Sequence, residues 1–345
     1  MELAFIIEKF VLVTVIFLIT LTVAAYSTLA ERKIAGYLQD RVGPNRAGPG
    51  GMFQPLADGL KMFFKEEIIP TDSSSALFIL GPSLALFTAL IGSAVIPWGE
   101  SIMIADTLIS LQVADINVGI LYIFGVVSLG VYGLMIGGWA SNNKFSLMGA
   151  IRAASQSISY EIPMGLSIIA LLMTTNTLSM KEIVEQQHGM NWNILYQPLG
   201  FLVFMICSFA ETNRTPFDLP ECETELVGGY HTEYSGFKMG AFMFAEYINM
   251  FVSSAVMATL YFGGYNYPGM DWVNEMTGSL IGPLIGMAIL LAKIFAFIFF
   301  FMWVRWTIPR FRYDQLMDLG WKVLIPLAIA NIVITGIVIT IFDKL

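Results

Sequence analysis

A chain of 345 residues that is 56% hydrophobic and 13% charged, with a mean hydropathy of +0.71, lies far from soluble domains, in which about a quarter of residues carry charge. It is an integral membrane protein. Its net charge of −8 argues against a nucleic-acid partner, and its two cysteines, Cys207 and Cys222, exclude a disulfide framework and a four-cysteine iron–sulfur or zinc site.

Apolar runs fall near residues 10–30, 77–99, 118–140, 158–178, 194–210, 239–264, 278–304 and 323–342, each approaching the roughly 20 residues of a spanning helix. They lack the period-2 alternation of a membrane barrel and exceed its strands of about 10 residues. The class is therefore all-α: a polytopic membrane protein of about eight transmembrane helices, forming one membrane domain over residues 1–345. The first run starts with Glu2 and Glu8 instead of a basic region, and its apolar stretch exceeds the roughly 7–15 residues of a secretory signal, so a retained helix is expected. Fourteen of the eighteen Lys and Arg residues fall in the loops after the first, third, fifth and seventh runs. Those loops are expected to be cytoplasmic and both termini outside.

The first cytoplasmic loop, 31–76, is long enough to expect a function. It opens with ERKIAGYLQDRVGPNRAGPGG, whose Gly and Pro content reads as an extended or turning segment. In MFQPLADGLKMFFKEE, Phe53, Leu56, Leu60 and Phe63 share one helical face while Asp58, Lys61 and Lys65 lie on a polar one. That pattern predicts an amphipathic helix lying on the membrane surface, and an interfacial anchor and a cavity wall fit it equally. The outside loops, roughly 100–117, 179–193 and 265–277, concentrate no chemistry.

Ionisable residues inside spans cost on the order of 3 kcal/mol and are functional candidates. Here they are Glu161, Glu246 and Lys293, with Lys293 equally suited to a structural ion pair or a proton path. Glu211 stands where the fifth run meets an acidic cytoplasmic loop, 211–238. That region holds Glu211, Asp218, Glu221, Glu223, Glu225 and Glu233, with Arg214 as the sole arginine among them. Crowding and burial raise carboxylate pKa values toward the working range of a proton carrier, although composition alone fits a solvated loop more simply. Arg305, Arg310 and Arg312 are interleaved with Trp303, Trp306, Phe311 and Tyr313, a pattern that suits lipid headgroups or the mouth of a site for an amphipathic ligand. His188 and His231 are expected on opposite membrane faces, which excludes a bis-histidine haem. No nucleotide fingerprint occurs, so the chain has no site of its own for NAD, flavin or clusters.

The blocks ERKIAGYLQDRVGPNRAGPGG, QPLADGLKMFFKEE, RAASQSISYEIP, AETNRTPFDLPECETELVGGYHTEYSGFKMGAFMFAEY and WVRWTIPRFRYDQLMDLGWK, in this order over nearly the whole chain, closely resemble the family of the membrane H subunit (subunit 1) of respiratory complex I. The resemblance implies a coupling subunit of a proton-pumping NADH:quinone oxidoreductase that joins the membrane and peripheral arms and forms much of the quinone tunnel. It implies an enzyme subunit without a redox centre and no catalytic residue or bound metal in this chain. Quinone would be the substrate, while FMN, NADH and the iron–sulfur clusters would sit on partner subunits. Those partners are the peripheral quinone-site and iron–sulfur subunits and small membrane-arm subunits, in a bacterial inner membrane more readily than an organelle's. Matched by motif, Arg32, Asp58, Arg305 and Arg310 fall at tunnel positions, and Glu161, Glu211, Glu221, Glu223, Glu225 and Glu246 on the carboxylate path into the membrane. Cys222 stands where the family often has Gly. An equivalent subunit of a hydrogenase-type or ferredoxin-type membrane complex is the alternative. A free-standing transporter is disfavoured because no internal inverted repeat is visible.

Overall fold

A computed structural model describes the backbone of residues 2–104 and 107–342. In chain order the helices are α1 (Glu2–Leu38), α2 (Gln54–Phe64), α3 (Ser75–Ile91), α4 (Gly119–Ala140), α5 (Lys144–Thr175), α6 (Met180–Gln186), α7 (Asn193–Tyr196), α8 (Pro198–Glu211), α9 (Glu223–Leu226), α10 (Gly236–Tyr261), α11 (Met270–Thr307), α12 (Tyr313–Asp318) and α13 (Ile325–Phe342). A π-helical turn, Leu319–Leu324, joins α12 to α13. The only strands among the described residues are the short antiparallel pair Ile102–Ile104 and Thr107–Ile109.

Seven helical segments among the described residues are long and apolar enough to cross a membrane. The eighth expected span, 194–210, is instead the 14-residue α8, about 21 Å long at 1.5 Å per residue against a hydrocarbon core of about 30 Å. Polar side chains shorten it. Gln187 Oε1 accepts from the Asn193 and Gly263 amides at 3.1 and 3.0 Å, Gln197 Nε2 donates to Thr335 Oγ1 at 2.8 Å, and Pro198 then opens a new helix at its first turn.

The expected turn at Glu31 is also corrected. α1 runs on through ERKIAGYL to Leu38, because Glu, Arg, Lys, Leu and Ala are good helix formers and helix propagation outlasts the apolar stretch. It stops where Asp40 takes φ 49° and the Arg41 amide bonds back to the Gly36 carbonyl at 2.9 Å. Only a glycine fits at Gly36, where a Cβ would lie 2.8 Å from the Arg41 carbonyl oxygen.

α10 is the axis of the bundle and is packed by α1, α3 and α11, while α5 packs on α4, α8 and α13. α2 lies outside this core. None of its residues is buried, and Phe53, Leu56, Leu60 and Phe63 along its apolar side are all exposed. Its trailing segment is fastened to α10 by Lys238 Nζ on Glu67 at 2.8 Å and by the stacking of Phe63 on Phe237 at 4.9 Å. The end of the bundle that carries the acidic loop is therefore ringed by the last turns of α1 and α11, the first turns of α10, and α2.

Candidate functional site

Four elements meet at that end on one carboxylate. α1 delivers Glu31, 5% exposed, whose Oε2 accepts from Arg214 Nη1 at 2.7 Å and from Tyr247 Oη of α10 at 2.9 Å. Its Oε1 accepts from Arg305 Nη1 of α11 at 2.5 Å. Arg214 is 3% exposed, and its guanidinium stacks 4.2 Å above the Tyr247 ring. The loop that carries it is held from α5 by Gln156, whose amide reaches the carbonyls of Ala210 and Phe217 at 2.8 and 2.9 Å. Two cations on one buried anion leave local positive charge, which favours further carboxylates nearby.

Those carboxylates come from the acidic loop and α10. Asp218 accepts from Arg310 Nη2 at 2.8 Å. Burial, then repulsion by Glu221, push the Asp218 carboxyl up to about 6 against the pull of Arg310, Arg305 and Arg214. A folded pKa above the unfolded value means that the folded state binds the proton more tightly, so stability falls as pH rises from about 4 to about 6 and then levels off. Asp218→Asn should remove that part of the pH dependence of the thermal midpoint; an unchanged slope would contradict it. Glu221 and Glu246 are brought together by Tyr230, whose hydroxyl lies 2.5 Å from Glu221 Oε1 and 3.0 Å from Glu246 Oε1. Burial pushes the Glu221 carboxyl up, but hydrogen bonds from Glu246 and Tyr230 and the charges of His231 and Arg214 outweigh it and hold it below the usual range.

Deeper in the bundle, Glu161 of α5 and Glu211 of α8 line one cavity of about 30 Å³ with Phe124, Met164, Ser208 and Val252, room for about one water molecule. Ser128 Oγ of α4 donates to Glu161 Oε1. Glu211 Oε2 is buried and makes no hydrogen bond among the described residues.

The other sequence candidates stand apart from this cluster. Arg32 pairs with Asp58 of α2 at 2.8 Å at the protein surface, one residue and about 100° of helix away from Glu31. Glu225 pairs with Arg152 at 2.6 Å and is half exposed, and the Glu223 side chain lies outside the described residues. Lys293 donates to the backbone carbonyls of Phe262, Gly264 and Asn266 at 2.7, 2.8 and 2.7 Å. Its three protons thus anchor the turn after α10 on backbone carbonyls, at a residue for which the sequence left an ion pair and a proton path open. Lys293→Met should lower thermal stability by about 2–4 kcal/mol, the cost of orphaned polar groups, yet leave turnover intact in the molecules that fold. Loss of turnover at wild-type stability would contradict this.

Sequence reasoning did not single out Glu31, Tyr230 or Tyr247, and it read Arg214 only as a counter-charge. The available signal was that Glu31 precedes Arg32 at the end of an apolar run, so the two side chains point in different directions.

A family model described as NADH dehydrogenase matches residues 10–336. The chain is 65% identical over 339 residues to the NADH-quinone oxidoreductase H subunit of Flavobacterium johnsoniae, covering 98% of this chain and 97% of that one. It is also 65% identical over 340 residues to an NADH-quinone oxidoreductase H subunit of Cytophaga hutchinsonii, covering 98% of each. A more distant match, 47% over 343 residues, is an H subunit of the same enzyme from Geobacter sulfurreducens, with 95% of this chain and 94% of that one covered.

Proposed function

The chain belongs to the NADH dehydrogenase family represented by the H subunit of NADH-quinone oxidoreductase, and we propose that it couples quinone reduction to proton movement in such a complex through its buried carboxylates. On this reading the end bearing Arg32, Asp58, Arg305 and Arg310 faces the cytoplasm of a bacterial inner membrane and forms the quinone tunnel against the peripheral subunits. Both termini are outside, and residues 1–345 form one membrane domain with working segments at 31–76, whose first turns continue α1 to Leu38, and 211–238. Electrons reach quinone from an iron–sulfur cluster on a partner subunit, with FMN and NADH on other partners. Small membrane-arm subunits pack along the bundle.

The observation that carries this reading is a pair of charged contacts leading inward from the same end: from the half-exposed Arg310 to Asp218 of the acidic loop, and from the partly exposed Arg305 through Glu31 to Arg214. A quinone that gains electrons beside Arg305 and Arg310 attracts their guanidinium groups. Each is then less available to Glu31 or Asp218, and in a site poorly screened by water the carboxylates respond by binding protons. Glu221 and Glu246 lead that response from the loop into α10, and Glu211 and Glu161 carry it into the bundle. Glu225 extends the acidic loop toward solvent, and Glu223 is assigned to the same path by its sequence position alone. Lys293, far from this cluster, is an anchor in this scheme.

Affinity purification of this chain from native membranes in mild detergent tests the assignment. The expected product is a large assembly with flavin and iron–sulfur subunits and inhibitor-sensitive NADH-driven quinone reduction. Recovery alone would instead support a transporter. Recovery with hydrogenase-type or ferredoxin-linked partners, and no NADH activity, would support the related complexes.

A further inference from the structure

Tyr230 sits in the turn Gly229–His231, 1% exposed. Its hydroxyl is shared by two carboxyls, at 2.5 Å from Glu221 and 3.0 Å from Glu246. A phenol has one proton to donate, so it donates to one oxygen and accepts from the other. Both contacts coexist when one carboxyl is ionised and its partner carries a proton. The shorter contact is to Glu221, and His231 Nδ1 stands 3.6 Å from the same Glu221 oxygen. Two groups converge on one Glu221 oxygen, which marks Glu221 as the anion of the pair.

The hydroxyl is held in place. The Tyr230 ring meets Phe242 edge-on at 5.2 Å, and its backbone lies so close to α5 that a Cβ on Gly149 would stand 2.6 Å from the Tyr230 nitrogen. Burial, then the neighbouring charges of Glu221 and Glu246, push the Tyr230 phenol well above its ordinary value, so the hydroxyl keeps its proton throughout the working range. The other charged groups that act on the pair are Arg214 from the loop, Arg305 from α11 and Asp218 before Glu221. None of them bridges both carboxyls.

We propose that Tyr230 is a positioning residue of the carboxylate path: its hydroxyl fixes which of Glu221 and Glu246 holds the proton they share. The proposal rests on the proton-path reading above, because only there does the location of that proton affect turnover.

The test is the pH profile of inhibitor-sensitive NADH:quinone reduction by the intact purified complex carrying Tyr230→Phe. Removing a donor to an anion raises the pKa of that anion, so the ionised form is lost at higher pH. The acid limb should move up by about one unit, with the rate recovered at higher pH and NADH oxidation by an artificial acceptor unchanged. An unmoved limb overturns the proposal. If Tyr230→Phe does not assemble, 3-fluorotyrosine at position 230 decides. Its shape is retained and its more acidic phenol is a stronger donor, so the limb should move down, and an unmoved limb again overturns the proposal. Full activity of both Glu221→Gln and Glu246→Gln would sink the proton-path reading itself. Loss of activity in both, with an unmoved limb in the tyrosine variants, would sink this inference alone.

Discussion

Arg214→Met should sharply reduce the amount of folded, assembled protein in the membrane. The guanidinium is 3% exposed, donates to Glu31 at 2.7 Å and stacks on Tyr247 at 4.2 Å. Methionine fills similar volume, so the loss is chiefly one of charge. Breaking a buried pair from one side costs about 3–5 kcal/mol, and the lower end applies here because Arg305 still holds the other Glu31 oxygen. Set against a total stability of about 5–15 kcal/mol, a loss of about 3 kcal/mol is large enough to send much of the protein to degradation. Glu31→Gln should be comparably damaging, since it leaves Arg214 and Arg305 facing each other without their anion. In combination the two substitutions should cost less than their sum, because the second removes a charge already left unpaired. Yield of assembled complex and its thermal midpoint measure this. Wild-type values for Arg214→Met would show that the buried bridge contributes little. The exposed pair Arg32–Asp58 provides a control, since surface pairs contribute about 0–1 kcal/mol and Arg32→Ala should leave assembly intact while weakening quinone use.

Glu211→Gln should do the opposite: preserve the protein and remove its activity. The side chain keeps its shape, and a neutral amide is easier to bury than a carboxylate, so assembly and thermal midpoint should be at least those of the wild type. A glutamine neither takes up nor releases a proton. Inhibitor-sensitive quinone reduction should fall by about tenfold or more; a lost general acid or base typically costs about 10²–10⁴-fold. NADH oxidation by an artificial electron acceptor, which uses only partner subunits on this reading, should be unchanged. The cavity that Glu211 shares with Glu161 makes the same demand of Glu161→Gln. There Ser128 retains a side-chain oxygen to which it can donate.

The long apolar runs made the helical class legible, because a membrane demands lengths that few other folds need. Helix ends were less so. Glu31–Leu38 looked polar enough to turn yet stayed helical, and α8 was shortened by hydrogen bonds from Gln187 and Gln197 whose partners lie up to 138 residues away. The expense of ionised groups in a membrane drew attention to Glu161, Glu246 and Lys293. It did not assign their partners. Lys293 turned out to be seated on three backbone carbonyls, which leave no mark in a sequence. Glu31 and Arg214 are 183 residues apart, and nothing in either stretch points to the other. Tyr230, in a short loop motif, looked like any aromatic residue until the turn placed its hydroxyl between two carboxyls.

Glu246 offers the most direct measurement of the central claim, since it joins the loop carboxylates to the membrane helices. Intact complex carrying Glu246→Gln would be assayed for inhibitor-sensitive NADH:quinone reduction beside NADH oxidation by an artificial acceptor, at matched content of assembled enzyme. Loss of about tenfold or more in the first with no change in the second is the predicted result. Wild-type rates in both assays would contradict a carboxylate path through this subunit.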